Sequence, residues 1–135
     1  MTREALRTLL REARTIAVVG LSPKPGRPSH GVARYLQQAG YRIVPVNPGH
    51  AEILGEQSYP SLSAAAREHA VDIVDVFRRS EFAGAVVDEA ITVKPRLIWL
   101  QEGVVDEAAR SRAAAAGIPC VMDRCLAVDH SELGV

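Results

Sequence analysis

The residues best suited to bind a charged ligand stand together in one segment, residues 20–29, directly after an apolar run. The segment contains glycines, two serines, three prolines, one lysine and one arginine. Backbone N–H groups and serine hydroxyls can donate hydrogen bonds to phosphate oxygens, while Lys24 and Arg27 supply positive charge. The prolines restrict φ and lower the entropy that is lost when such a loop becomes ordered. The segment therefore predicts a rigid binding loop for an anion with several phosphates.

This loop stands between a predicted strand and a predicted helix, which is where phosphates bind in open parallel sheets. Residues 16–19 are wholly apolar, and Ser29 can cap a helix that Gly40 ends. The alternation continues along the chain, with Ser61 and Ser80 as further predicted caps and Phe82 predicted to face inward. The other predicted strands are residues 41–46, 71–77, 97–100 and 118–122, and the other predicted helices are residues 2–13, 61–69, 80–91 and 105–116.

Strands that alternate with helices and read as unbroken apolar runs are typical of a parallel sheet that is covered on both faces. We therefore predict an α/β fold: a Rossmann-like doubly wound parallel sheet of five strands in the order 3-2-1-4-5, with helices on both faces, as a single domain over residues 1–135. The ligand crevice is then expected above the carboxyl ends of strands one and four. The loops that would meet there are residues 20–29, 47–49, 77–80 and 101–103, with residues 123–125 beside them.

Composition and charge exclude several classes of function. Sixteen basic and sixteen acidic residues give a formal net charge of zero, so no overall field would attract nucleic acid or a membrane surface. No apolar run approaches the roughly 18 residues that cross a bilayer, and the charged start lacks the apolar core of a signal peptide. We therefore expect a cytoplasmic protein with a small-molecule nucleotide ligand and no nucleic-acid or membrane partner, and leave a protein partner open.

Other classes of phosphate-binding protein fit the loop less well. An NAD-binding loop requires glycine where this chain has Ser22, and an acid at the end of strand two, where Asn47 stands. NADP remains an alternative, because Lys24 or Arg27 could contact its 2′-phosphate, whereas a P-loop motif is absent. No nucleophile–base arrangement can be identified, so no catalytic residue is predicted. The four histidines are too widely spaced to predict a metal site; each is expected at the surface or at a helix cap, with only His30 near the crevice.

Five short motifs at predicted strand ends carry a resemblance to a known family. They are Val-Val-Gly-Leu-Ser-Pro-Lys-Pro-Gly-Arg-Pro-Ser (18–29), Val-Pro-Val-Asn-Pro (44–48), Val-Asp-Val-Phe-Arg (74–78), Trp-Leu-Gln-Glu-Gly (99–103) and Val-Met-Asp-Arg-Cys (121–125). Through them the chain resembles the CoA-binding domain family, most closely its small stand-alone bacterial and archaeal members. The same kind of domain forms the amino-terminal part of the succinyl-CoA synthetase alpha subunit. The resemblance extends from about Thr15 to His130.

The resemblance implies that coenzyme A or an acyl-CoA lies across the crevice with its phosphates on the first loop. Synthetase activity relies on a phosphorylated histidine in a second domain, which this chain is expected to lack, so binding is implied but ligase chemistry is not. The expected role is that of a carrier, sensor or regulatory module. The alternatives are a small NADP-linked oxidoreductase or partner-dependent acyl-CoA enzyme, and an interaction module without ligand. The implied binding residues are Gly20, Leu21, Ser22, Pro23, Lys24, Arg27, Pro28, Ser29, Asn47, Pro48, Phe77, Arg78, Gln101, Glu102 and Gly103.

Overall fold

Helices and short strands alternate through residues 1–135, all of which the computed structural model describes. The first helix shows how local sequence sets an element, because Thr2 accepts a hydrogen bond from the Ala5 N–H at 3.0 Å and thereby caps it. The elements are α1 (Arg3–Glu12), β1 (Thr15–Val19), α2 (Pro28–Gln38), β2 (Arg42–Val46), β3 (Glu52–Ile53), β4 (Glu56–Gln57), α3 (Leu62–Glu68), β5 (Ile73–Val76), α4 (Ser80–Val93), β6 (Leu97–Leu100), α5 (Glu107–Ala115), β7 (Cys120–Val121) and α6 (Leu126–Leu133).

Five parallel strands form the main sheet, in the order β2-β1-β5-β6-β7, while β3 and β4 make a separate two-stranded hairpin. Because the strands of a parallel sheet are apolar on both sides, each face needs its own helical layer. One face packs against α3, α4 and α5, and the other against α1, α2 and α6. The predicted Rossmann-like α/β fold with five parallel strands and two helical layers is therefore confirmed.

The position of one strand differs from the predicted order 3-2-1-4-5. The third main strand along the chain, β5, pairs with β1 and not with β2, so the five strands run 2-1-3-4-5. Pro45 gives the physical reason, because proline has no N–H and is confined to edge strands. Its carbonyl accepts the Tyr59 N–H at 3.0 Å on the side away from β1, which leaves β2 at the edge. The strand order thus reverses between β1 and β5, and a ligand crevice is expected there.

Two of the predicted helix caps are wrong. Ser29 and Ser80 lie inside α2 and α4, whose N-cap positions are held by Arg27 and Arg79 without a side-chain hydrogen bond. Pro28 starts α2 because its fixed φ suits the first helical position and its missing N–H is not needed there. The prediction for Ser61 holds, since its hydroxyl accepts the Ala64 N–H at 3.1 Å. Phe82 is also corrected: its side chain is 50% exposed, whereas Ala83, Val87 and Ala90 form the buried face of α4.

The last helix, α6, is absent from the elements predicted above, and it completes the layer formed by α1 and α2. His130 on this helix is buried and lies 2.9 Å from the hydroxyl of Tyr35, so its predicted surface or cap position is wrong. His30 is buried as well. Burial lowers the pKa of His130. None of the helices is both long enough and apolar enough to cross a membrane.

Candidate functional site

A cleft of about 600 Å³ lies above the carboxyl ends of β1 and β5, where the strand order reverses. Loops that follow β1, β2, β5 and β6 form its walls, together with the start of α2. Most of the predicted binding residues line this cleft. They are Gly20, Ser22, Pro23, Lys24, Arg27, Pro28, Ser29, Asn47, Phe77, Arg78, Gln101 and Glu102.

The lining differs from the predicted set at seven positions. Leu21, Pro48 and Gly103 do not line the cleft, and the side chain of Leu21 is fully buried in the core. The predicted binding set lacks four lining residues, Val32, His50, Val104 and Cys125. His50 corrects the expectation that only His30 would lie near the crevice. Cys125 falls within residues 123–125, the segment that was expected beside it.

Hydrogen bonds within the first loop fix its shape before any ligand arrives. The Ser22 N–H donates to the Ser29 hydroxyl at 2.9 Å, and the Lys24 N–H donates to the Ser22 hydroxyl at 3.1 Å. The Arg27 N–H donates to the Lys24 carbonyl at 3.0 Å. Each serine oxygen is therefore used as an acceptor, while its own proton remains free to be donated. The loop combines this internal bonding with proline stiffening, as the sequence predicts.

Gly20 allows the loops that follow β1 and β5 to approach each other. Its φ is +86°, and a Cβ at this position would lie 2.3 Å from the carbonyl oxygen of Phe77. Backbone hydrogen bonds hold this region in place, since the Gly20 N–H donates to the Val46 carbonyl at 3.0 Å and the Phe77 N–H donates to the Val19 carbonyl at 2.8 Å. Only glycine fits such a position without a shift of the backbone. Gly20 thus sets the distance between two walls of the cleft.

Asn47 joins the loop after β2 to the loop after β1. Its Nδ2 donates to the Leu21 carbonyl at 3.0 Å, and its Oδ1 accepts the Gly49 N–H at 2.9 Å. Leu21 therefore takes part in the site through its backbone, although its side chain belongs to the core. Pro48 is exposed beside this turn.

Positive charge is concentrated at the cleft although the chain as a whole is neutral. Lys24, Arg27 and Arg78 are exposed and form no salt bridge, and Glu102 is the one carboxylate in the lining. The guanidinium of Arg78 lies over the ring of Phe82, 5.7 Å from its centroid. Cations that line a concave surface without carboxylate partners raise the local potential for anions. The cleft is therefore suited to an anion with more than one negative charge.

Below the cleft, a buried carboxylate contacts one of the lining residues. Asp75 in β5 is fully buried, and its Oδ1 accepts a hydrogen bond from the Gln101 side-chain nitrogen at 2.7 Å. Its other oxygen, Oδ2, is buried without a hydrogen-bond partner. Burial raises the pKa of Asp75 to about 7, and the hydrogen bond from Gln101 acts in the opposite direction. This pair is not among the residues predicted from the sequence, although a single aspartate inside an apolar strand is a visible signal.

The turn after β6 is held by contacts to the loop after β7 and to the first residue of α4. Gly103, with a φ of +82°, donates its N–H to the Asp123 carboxylate at 2.7 Å. The Ser80 hydroxyl donates to the Gly103 carbonyl at 3.2 Å and accepts the Val105 N–H at 3.0 Å. Gly103 thus positions Gln101 and Glu102 from outside the cleft. No group of three or more His, Cys, Asp or Glu side chains is placed to hold a metal ion.

Comparison with known proteins identifies a family and several relatives that are similar to this chain. The family model described as "CoA binding domain" matches residues 14–131. The uncharacterized protein YneT of Bacillus subtilis (strain 168) is 38% identical over 130 residues, which cover 96% of this chain and 95% of that protein. A structure described as cell-free ID.343 from Thermus thermophilus is similar with a TM-score of 0.93 and 41% identity, covering 98% of this chain and 99% of that one. A hypothetical protein from Pyrococcus horikoshii OT3 also gives a TM-score of 0.93, with 33% identity, covering 100% of this chain and 94% of that one.

Proposed function

The chain belongs to the CoA-binding domain family, and we propose on this basis that the cleft between β1 and β5 binds coenzyme A or an acyl-CoA non-covalently. Coenzyme A carries a pyrophosphate and a 3′-phosphate, so its nucleotide end has several negative charges within a short distance. The observation that carries the proposal is the set of three unpaired cations, Lys24, Arg27 and Arg78, around a concave site with one carboxylate.

The first loop is the proposed phosphate site. The Ser22 and Ser29 hydroxyls and the N-terminal end of α2 supply donors, and Lys24 and Arg27 supply charge next to them. Arg27 stands at the N-cap position, where the positive end of the helix dipole adds to the charge of its guanidinium. Arg78 extends the cationic surface from the opposite wall. A ligand with phosphates at two places can contact both walls at once.

The proposed role is that of a carrier, sensor or regulatory module that binds its ligand without changing it. The hydrogen bonds around the cleft shape the loops, and none of them couples a thiol or a hydroxyl of the lining to a histidine or a carboxylate. Such a pairing is what activates a nucleophile in group-transfer enzymes. The groups that line the cleft therefore support binding chemistry more strongly than group transfer.

Calorimetric titration of the full chain with CoA, dephospho-CoA, NADP and NAD tests the proposal. CoA is expected to bind, and dephospho-CoA is expected to bind more weakly because it lacks the 3′-phosphate. Tighter binding of NADP than of CoA would overturn the proposal and favour a small oxidoreductase. Absence of binding to all four ligands would favour an interaction module that has kept the fold alone.

A further inference from the structure

Asp75 is an unusual residue for the middle of a parallel sheet. It stands in register with Val18 of β1 and Trp99 of β6, and it is fully buried on the face that α1, α2 and α6 cover. Isolated carboxylates in such places are strongly destabilising unless hydrogen bonds or a change of protonation compensate them. Here the only hydrogen bond to the carboxylate comes from Gln101, a residue that lines the cleft.

The hydrogen bond decides which end of the Gln101 amide points away from the protein interior. Its nitrogen, Nε2, is used by Asp75. Its oxygen, Oε1, accepts no hydrogen bond from the protein. Asp75 Oδ2 is the single polar side-chain atom that is both completely buried and without a partner, so Oε1 is not completely buried. Gln101 as a whole is only 4% exposed and lines the cleft, so we assign the exposed part of this oxygen to the cleft. The cleft thus presents an acceptor at this point.

We propose that Asp75 is a positioning residue, which holds the Gln101 amide with its nitrogen inward so that the cleft accepts a hydrogen bond from an N–H group of the bound nucleotide ligand. This inference rests on the proposed function, because it specifies a hydrogen bond between CoA and one wall of the same cleft. Two parts of CoA carry N–H groups, the adenine and the pantetheine arm. Adenosine 3′,5′-bisphosphate contains the first and lacks the second, so a comparison of the two ligands distinguishes them.

The protonation of Asp75 controls this arrangement. An ionised carboxylate has only acceptors and therefore holds the amide nitrogen of Gln101. A neutral carboxyl group can instead donate to Oε1, which turns the amide over and presents its nitrogen to the cleft. Since the pKa of Asp75 is about 7, the two arrangements exchange near neutral pH. We therefore expect the affinity for CoA to fall as Asp75 becomes protonated.

No other ionisable group forms a hydrogen bond or an ion pair with Asp75. The flanking strands β1 and β6 carry no titratable side chain. On the covering helices, the buried ionisable groups are His30 of α2 and Asp129 and His130 of α6. Asp129 forms an ion pair with Arg124 at 2.8 Å, and His130 is hydrogen-bonded to Tyr35. The ionisable side chains of α1 are not buried. In the cleft itself, His50, Glu102, Cys125, Lys24, Arg27 and Arg78 also carry or can acquire charge.

The first test follows the Gln101 side-chain amide by ¹⁵N NMR without ligand. In the wild-type protein, its two N–H resonances are expected to shift with a midpoint near pH 7, and in Asp75→Asn this titration is expected to disappear. Resonances that respond neither to pH nor to the substitution would overturn the proposal. This measurement does not involve CoA, so it decides the positioning role independently of the proposed function.

The second test uses the amide of an asparagine to reverse Gln101. In Asp75→Asn, the Asn nitrogen can donate to Gln101 Oε1, and the Asn oxygen then occupies the position of Asp75 Oδ2, which has no hydrogen-bond partner. An oxygen suits that position better than an NH₂ group, because an unpaired buried acceptor costs less than an unpaired donor. The cleft then presents a donor. CoA binding is expected to weaken about 10-fold at a pH where the wild-type Asp75 is ionised, the loss of one hydrogen bond. A loss for CoA alone assigns the contact to the pantetheine arm, and an equal loss for adenosine 3′,5′-bisphosphate assigns it to the adenine.

A double-mutant cycle separates positioning from general disturbance. In a Gln101→Met background no amide is left to reverse, so Asp75→Asn is expected to change the affinity for CoA by less than about 2-fold. The same 10-fold loss in that background, or no loss in the single variant, would overturn the proposal. Wild-type protein that binds no CoA would contradict the proposed function, while the NMR result would still decide the role of Asp75.

Discussion

The pH dependence of stability gives a quantitative test of how Asp75 is buried. Burial raises its pKa from 3.8 to about 7, against the effect of the Gln101 hydrogen bond. Between these two values the folded state binds the proton more tightly than the unfolded state does. The free energy of unfolding therefore falls as the pH rises from about 4 to about 7 and is no longer affected by this group above that range.

The size of the effect follows from the difference between the two pKa values. They differ by about three units, and one unit corresponds to about 1.4 kcal/mol, so ionised Asp75 lowers the free energy of unfolding by about 4 kcal/mol. Because the carboxyl group is fully buried, solvent screening does not reduce this figure. Asparagine has nearly the same shape and no charge. Asp75→Asn is therefore expected to raise the free energy of unfolding by about 4 kcal/mol near pH 8 and to change it little near pH 4.

Urea unfolding at a series of pH values measures both the gain and its slope. Asp88→Asn is the matched control, because Asp88 is exposed and paired with Arg112, so the same chemical change takes place outside the core. The control is expected to give no such gain near pH 8, because it removes an exposed ion pair and not a buried charge. If Asp75→Asn raised the free energy of unfolding equally near pH 4 and near pH 8, or lowered it at both, the electrostatic reasoning would be refuted.

Two further substitutions test the first loop. Arg27→Ala is expected to weaken CoA binding in calorimetry by about 1.5–3 kcal/mol, the value of a hydrogen bond to a charged group. The control is Arg34→Ala, because Arg34 is an exposed arginine within α2. A change of only about 0.3 kcal/mol in Arg27→Ala would place Arg27 outside the site. Gly20→Ala is expected to lower the free energy of unfolding by more than about 2 kcal/mol, because the new Cβ would lie 2.3 Å from the Phe77 carbonyl at a φ of +86°. Gly26→Ala, which meets nothing within 4 Å, is its control in thermal unfolding, and equal melting temperatures for the two variants would contradict the close approach of the loops.

The fold class could be predicted because apolar strands and amphipathic helices alternate along the chain, whereas the order of the strands needed one more observation. Pro45 has no N–H to donate to a further strand on its outer side, so β2 belongs at the edge. The order 3-2-1-4-5 would place that strand between two others. Had this constraint been applied, the sequence would have favoured 2-1-3-4-5 and moved the crevice to β1 and β5.

The loops that form the cleft could be predicted because the carboxyl ends of parallel strands meet at one edge of the sheet. The last helix could not be predicted from its apolar pattern, because two of its inward positions are polar. Asp129 is buried through its ion pair with Arg124, and His130 through its contact with Tyr35. Tyr35 and His130 lie 95 positions apart in the sequence, so only the fold brings them together. Cys125, at the start of this helix, lines the cleft and lies in the segment 123–125 that was expected beside it.

Asp75 connects the stability of the fold to the chemistry of the cleft. Apolar residues occupy the neighbouring positions of its strand, and an apolar residue in place of a buried charge is often neutral or stabilising. Stability alone therefore gives no reason for a carboxylate with one unpartnered oxygen at this place. A role in holding Gln101 does give a reason, because no apolar residue can fix the direction of an amide. If Asp75→Asn makes the protein more stable and also weakens its binding of CoA, the two effects oppose each other in one residue, which is the pattern expected where function is maintained at the expense of stability.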